Sequence, residues 1–168
     1  GAMGDAGVAT SPDVYSQHWN PAKYAFIDGN AGVGISYSPW LRNLVPDMNI
    51  GYLAGYYRID SKQVISASLL YSSLGDVFFT DDFGNHEMTF SPNEFGLDLG
   101  YSRLFSENFS GGVVFRYIYS NMTGGSYAHG VPTKAGTSFA ADVSGYYNNS
   151  VSMFGKDGEL GLGINFSN

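Results

Sequence analysis

The 168-residue chain contains no cysteine, so neither a disulfide framework nor a thiolate zinc site is possible. Charge is also scarce. Asp, Glu, Lys and Arg make up 14% of residues, against about 25% in ordinary soluble domains. Basic residues are the scarcer sign: eight Lys and Arg face fifteen acids, a net charge of −7. Phosphate binding needs basic clusters, so nucleic acid is excluded as a partner. No apolar run approaches the ~20 residues of a membrane helix. No convincing long helical period occurs either. The length suits one domain.

What the chain does contain is glycine and aromatics: 23 Gly, 13 Tyr and 12 Phe. These fall in stretches of period-2 alternation, the mark of strands with two unlike faces. Seven strands are predicted: Ala31–Tyr37, Asn49–Ile59, Gln63–Ser73, Asn93–Phe105, Phe109–Ser120, Thr137–Tyr147 and Glu159–Ser167. Most run to about ten residues, longer than the usual strand and suited to a tilted membrane strand. Residues 1–30 are rich in Gly, Ala, Asp and Pro and read as an ordered loop or short helical segment, a plug or hatch set apart from strands in 31–168.

The connections alternate in length. Ser38–Met48, Leu74–Pro92 and Asn121–Gly136 are long; Asp60-Ser61-Lys62 and Ser106-Glu107-Asn108 are tight turns. Asn148–Gly158 is intermediate. In outer-membrane barrels short turns face the periplasm and long loops face outside. "DVFFTDD" and "EMTF" within Leu74–Pro92 suggest a hairpin extension or a missed strand.

The two faces say which side meets what. One carries small, nearly uncharged residues: Ser66, Ser68 and Ser72 in the third strand, Ser138, Ala140, Asp142 and Ser144 in the sixth. The other carries Phe139, Ala141 and Val143, then Leu160, Leu162, Ile164 and Phe166. A water-facing exterior of Gly and Ser is unusual, whereas a polar lumen of that kind is ordinary in a membrane barrel. The soluble β-barrel is the alternative. Tyr37, Tyr71, Tyr101, Tyr117, Tyr119 and Tyr147 near strand ends suit interfacial girdles. The fold class is therefore all-β, an antiparallel transmembrane β-barrel. Seven is an odd count, and single-chain barrels have even ones. The expectation is a partial barrel.

"NEFGLDLGYSRLF" (93–105) places Asp98 on the Gly and Ser face. A three-residue turn at 106–108 pairs Phe105 with Phe109 and sets Asp98 opposite Arg116. Directly opposite side chains interact, so a luminal Asp98–Arg116 ion pair is expected. Glu94, Asp98, Arg116, Asp142 and Glu159 either line a conduit or fill the lumen with ion pairs. Arg58 and Arg103, near the short turns, are read as interfacial anchors.

No catalytic constellation emerges, and the chain is read as not an enzyme. His18, His86 and His129 sit in separate loop-like regions, and no H-x-x-x-H, G-x-S-x-G or C-x-x-C occurs. His86 with Asp81, Asp82 and Glu87 lacks calcium-loop spacing and reads as an acidic outer loop. Asn108-Phe-Ser and Asn121-Met-Thr match a glycosylation sequon that is common by chance. No cofactor is expected.

The opening stretch "GAMGDAGVATSPDVYSQHWNPAKYAF" resembles that of outer-membrane proteins related to the fatty acid transporter FadL, with Asn20-Pro21-Ala22 matching an Asn-Pro-Ala motif before the first strand. The fuller pattern, with "GVGISYSPWLRNLV", "SPNEFGLDLGYSR", "SENFSGGVVFRYIYSNMTGG" and "GKDGELGLGINFSN", resembles the PorV (LptO) family of Bacteroidota. The resemblance implies a FadL-like barrel of fourteen strands, of which seven would be half. It implies an integral outer-membrane protein, in contact with membrane lipid, in the type IX secretion system. Such proteins would take the C-terminal signal domain of secreted cargo from the translocon barrel SprA (Sov) and deliver it to the attachment machinery with the sortase PorU. The alternative is a FadL-type conduit for small hydrophobic ligands.

Overall fold

A computed structural model describes residues 7–39, 48–80, 86–122, 127–128, 131–132, 134–153 and 156–168. Eleven strands occur among them. Seven form one antiparallel sheet: β1 (Ala31–Pro39), β2 (Met48–Arg58), β3 (Gln63–Leu74), β6 (Asn93–Ser106), β7 (Phe109–Asn121), β10 (Gly136–Met153) and β11 (Lys156–Phe166). Two short pairs lie apart from it: β4 (Val77–Thr80) with β5 (His86–Phe90), and β8 (Tyr127–Ala128) with β9 (Val131–Pro132). The sheet follows chain order as a meander and curls into an open half-barrel. Among the described residues no helix is long and apolar enough to cross a membrane, which says nothing of strands.

The alternation in sequence becomes two physical faces. On the convex face Phe139 is 78% exposed and Val143 56%; Ser144, the next residue, is 6% exposed on the concave face. Aromatic pairs cluster at both ends of the convex face. Phe95 stacks on Tyr119 and Tyr117 lies against Phe139 toward the long loops; Phe105 stacks on Phe109 at the short-turn end.

Three expectations are corrected, and the hairpin extension expected within Leu74–Pro92 is found. The turn after β6 is Glu107-Asn108, and a bulge at Phe105 absorbs the third residue: Ser106 faces Phe109 while Leu104 keeps Ser110 as partner. The register beyond the bulge is the one a three-residue turn would give. Asn148–Gly158 is mostly strand, because β10 and β11 stay paired out to Met153 and Lys156. The β4–β5 hairpin stands apart, so the main sheet keeps seven strands. His18 lies on a helix and His86 on a strand; Asp81, Asp82 and His129 fall outside the described residues.

Residues 7–28 lie along the concave side. A single turn of helix, α1 (Ser16–Trp19), runs into a 3-10 helix (Pro21–Phe26). Tyr24 and Ala22 are fully buried beneath the sheet's curve. Gly29, at positive φ, turns the chain outward into β1.

Candidate functional site on the concave face

The concave face carries small side chains because the N-terminal segment packs directly on it. A methyl group on Gly112 would sit 2.8 Å from the Ala22 backbone N, and one on Gly161 2.8 Å from Ala9 O. Only glycine lets the segment come so close. The serines serve the same contact. Ser110 Oγ donates to Ala22 O at 2.6 Å, and Ser144 Oγ accepts from Ala22 N at 3.1 Å. Ser66 Oγ donates to Gln17 Oε1 at 2.6 Å.

Asn20, Pro21 and Ala22 form the clasp of this contact. The Asn20 carboxamide accepts from Ala22 N and donates to Val8 O at 2.9 Å and to Gly145 O at 3.0 Å. It thereby caps the 3-10 helix and ties it to β10. Pro21 takes the first helical position, where a missing N–H costs nothing. Ala22 is the residue between the two wall serines, with its backbone N and Cα against Gly112. Lys23 follows, buried, with its ammonium donating to Gly7 O and Thr10 Oγ1. Burial lowers its pKa from the ordinary lysine value, and Asp13 partly opposes that. Burial likewise raises the Tyr24 hydroxyl, which donates to Val14 O.

Above the segment, toward the long loops, the concave face is open. A cavity of about 400 Å³ is lined by His18, Tyr52, Leu70, Glu94, Arg116 and Ile118, among others. Its charged floor holds a network around Arg116 and a separate Glu94–Ser120 pair. Arg116 faces Asp98 across the β6–β7 ladder and is bidentate to it, Nε to Oδ1 at 2.8 Å and Nη2 to Oδ2 at 3.0 Å. Asp142 reaches Arg116 Nη2 diagonally from β10 at 3.3 Å. Ser68 Oγ donates weakly to Asp98 at 3.4 Å, and the Ser120 hydroxyl donates to Glu94. Two carboxylates hold the guanidinium through Nε and Nη2, which is how a partly buried arginine is fixed in place. His18 packs edge-on to Trp19, and among the described residues no hydrogen bond orients it as a base. Among the described residues no group of His, Asp and Glu could hold a metal ion.

A family model for the type IX secretion system protein PorV matches residues 1–168, the whole chain. The chain belongs to the PorV family. No curated protein matches it.

In this PorV-family chain the structure brings together Asp98 and Arg116, and separately Asn20, Pro21 and Ala22 with the wall. Two pairings escape sequence reasoning. Asp142 joins Arg116 only through the β7–β10 register, which depends on a long loop. Arg58 is no interfacial anchor: it donates to Ile27 O and Gly29 O and holds the segment where it leaves the concave face. Its side of the strand is legible from alternation, since Tyr52, Ala54 and Tyr56 share it; its carbonyl partners are not. Glu159 shares the concave face but stands exposed at the far edge.

Proposed function

We propose that this chain is an integral outer-membrane wall of a non-catalytic carrier in the type IX secretion system. In this reading it receives secreted cargo through the cargo's C-terminal signal domain at the translocon barrel SprA (Sov). It then passes cargo to the surface attachment complex containing the sortase PorU. The observation that carries the reading is the family match over the whole chain. The two faces support it. The convex face is apolar with aromatic bands at both ends, the pattern of a bilayer-spanning barrel. The concave face is largely occupied by the chain itself, which leaves the long-loop rim for partners. Of the long loops, residues 40–47, 81–85, 123–126, 129–130 and 133 lie outside the described residues.

A conduit for small apolar ligands would use the cavity above α1. Leu70, Ile118 and Tyr52 suit such a ligand, but Glu94, Asp98, Asp142 and Arg116 share the lining and make desolvation there costly. The test is a mild-detergent pull-down of the full-length native protein with mass spectrometry. Recovery of a very large outer-membrane protein, or of secreted proteins sharing a C-terminal domain, supports the carrier. Recovery of the barrel alone with bound apolar ligand overturns it in favour of the conduit.

A further inference from the structure

We propose that residues 7–28 are a fixed strut that sets the curvature of the wall, and not a hatch that swings out of it. The reason is that the segment touches all seven strands of the main sheet. Tyr15 donates to Ile35 O on β1 at 3.1 Å, and the Tyr56 hydroxyl of β2 donates to Asp28 O at 3.0 Å. Gln17 lies between Ser66 of β3 and Gly100 of β6. Ala22 is held by Ser110 of β7 and Ser144 of β10. Val8 and Ala9 lie over Gly163 and Gly161 of β11.

A sheet's own twist does not specify how tightly it curls. Here the outermost strands are linked through one short segment that both of them touch. A hatch needs a face that tolerates exposure when it opens. This face does not. Lys23 is 1% exposed and bonded within the segment to Gly7 O and Thr10 Oγ1; across the contact Ser66 Oγ donates to Oε1 of Gln17, itself 2% exposed, and the fully buried Ser110 donates to Ala22 O. Opening would break these bonds together and uncover Tyr24 and Val64, both fully buried. It follows that nothing passes between the segment and the wall, whatever the cavity above α1 admits.

The test is independent of the secretion role. Single cysteines are placed in full-length, otherwise cysteine-free protein in outer-membrane vesicles, at Ala25→Cys on the segment, Ser110→Cys on the wall beneath it, and Ser38→Cys as an exposed control. Each is exposed to a small maleimide. A strut makes Ala25→Cys and Ser110→Cys react about a hundredfold more slowly than Ser38→Cys, or not at all, until the protein is denatured. Reaction of either buried site at the control rate overturns the proposal. Should a substitution disturb folding, hydrogen exchange on the unsubstituted protein decides. The amides of Asn20 and Ala22 exchange as slowly as central strand amides if the segment is a strut, and as fast as those of the Ser61-Lys62 turn if it is a hatch.

Discussion

The two faces of β10 are built from neighbouring residues and obey opposite rules. Phe139, Ala141 and Val143 point outward, large or apolar and uncovered; Ala140, Asp142 and Ser144 point inward, small or charged. A water-soluble sheet would bury the first set and expose the second. The inversion turns an apolar surface outward and a small, polar one inward. The convex side answers to something apolar, so side-chain size is unconstrained. Where residues 7–28 cover it, the concave side answers to a polypeptide segment in close contact, so side-chain size is tightly constrained there.

A charge on the convex face should break that comparison most strongly. Leu99→Arg in the full-length protein should cost about 2–4 kcal/mol in bilayer-based urea unfolding, the range for a cation at the lipid-facing midplane. A change within error would place this face against water. Next comes the concave network. Arg116→Leu leaves Asp98 and Asp142 facing each other without their cation. The loss should be about 2–3 kcal/mol by thermal or urea unfolding, below the fully buried case because the arginine side chain is a quarter exposed. Asp98→Asn should cost less, since Asp142 still holds the guanidinium.

A glycine pair on the concave face sharpens the account of close approach. Gly112→Ala should destabilise by about 1–2 kcal/mol through overpacking against Ala22. Gly96→Ala, with nothing within 4 Å of its added methyl, should be neutral or slightly stabilising. Equal effects would show that the segment does not press on the wall. The smallest effect lies at the exposed turn before β3. The Lys62 backbone N–H, with help from Gln63, lowers the Asp60 carboxyl pKa below its ordinary value of 3.8. A lowered folded-state pKa means this support is full above the ordinary value and fades only as pH falls through the lower one. The Lys62 amide should therefore keep its chemical shift down to about pH 4 and move below it. Movement centred above the ordinary value would contradict the assignment.

Strand positions and register are legible wherever a strand keeps its period. The turn after β6 tolerates a bulge without shifting Asp98 away from Arg116. The end of β10 escapes sequence reading because "NNSVSM" lacks apolar alternation; there the ladder with β11 and the Asn108 carboxamide, donating to Asn148 O and Asn149 Oδ1, hold the strand. The Gly and Ser face was legible as small and polar. Its cause was not, since period-2 alternation cannot distinguish a face wetted by lumen water from one covered by the chain's own residues. The Asn20 clasp likewise joins positions 125 residues apart, to Gly145, which no local pattern reveals.

The most direct test of the inverted wall is a nitroxide scan along β10, residues 138–144, in full-length protein reconstituted in bilayers. Accessibility to oxygen is compared with accessibility to a water-soluble nickel complex. The account predicts oxygen access peaking at 139, 141 and 143, with 140, 142 and 144 shielded from both. Nickel access peaking at 139, 141 and 143 would contradict it, because the apolar face would then be meeting water.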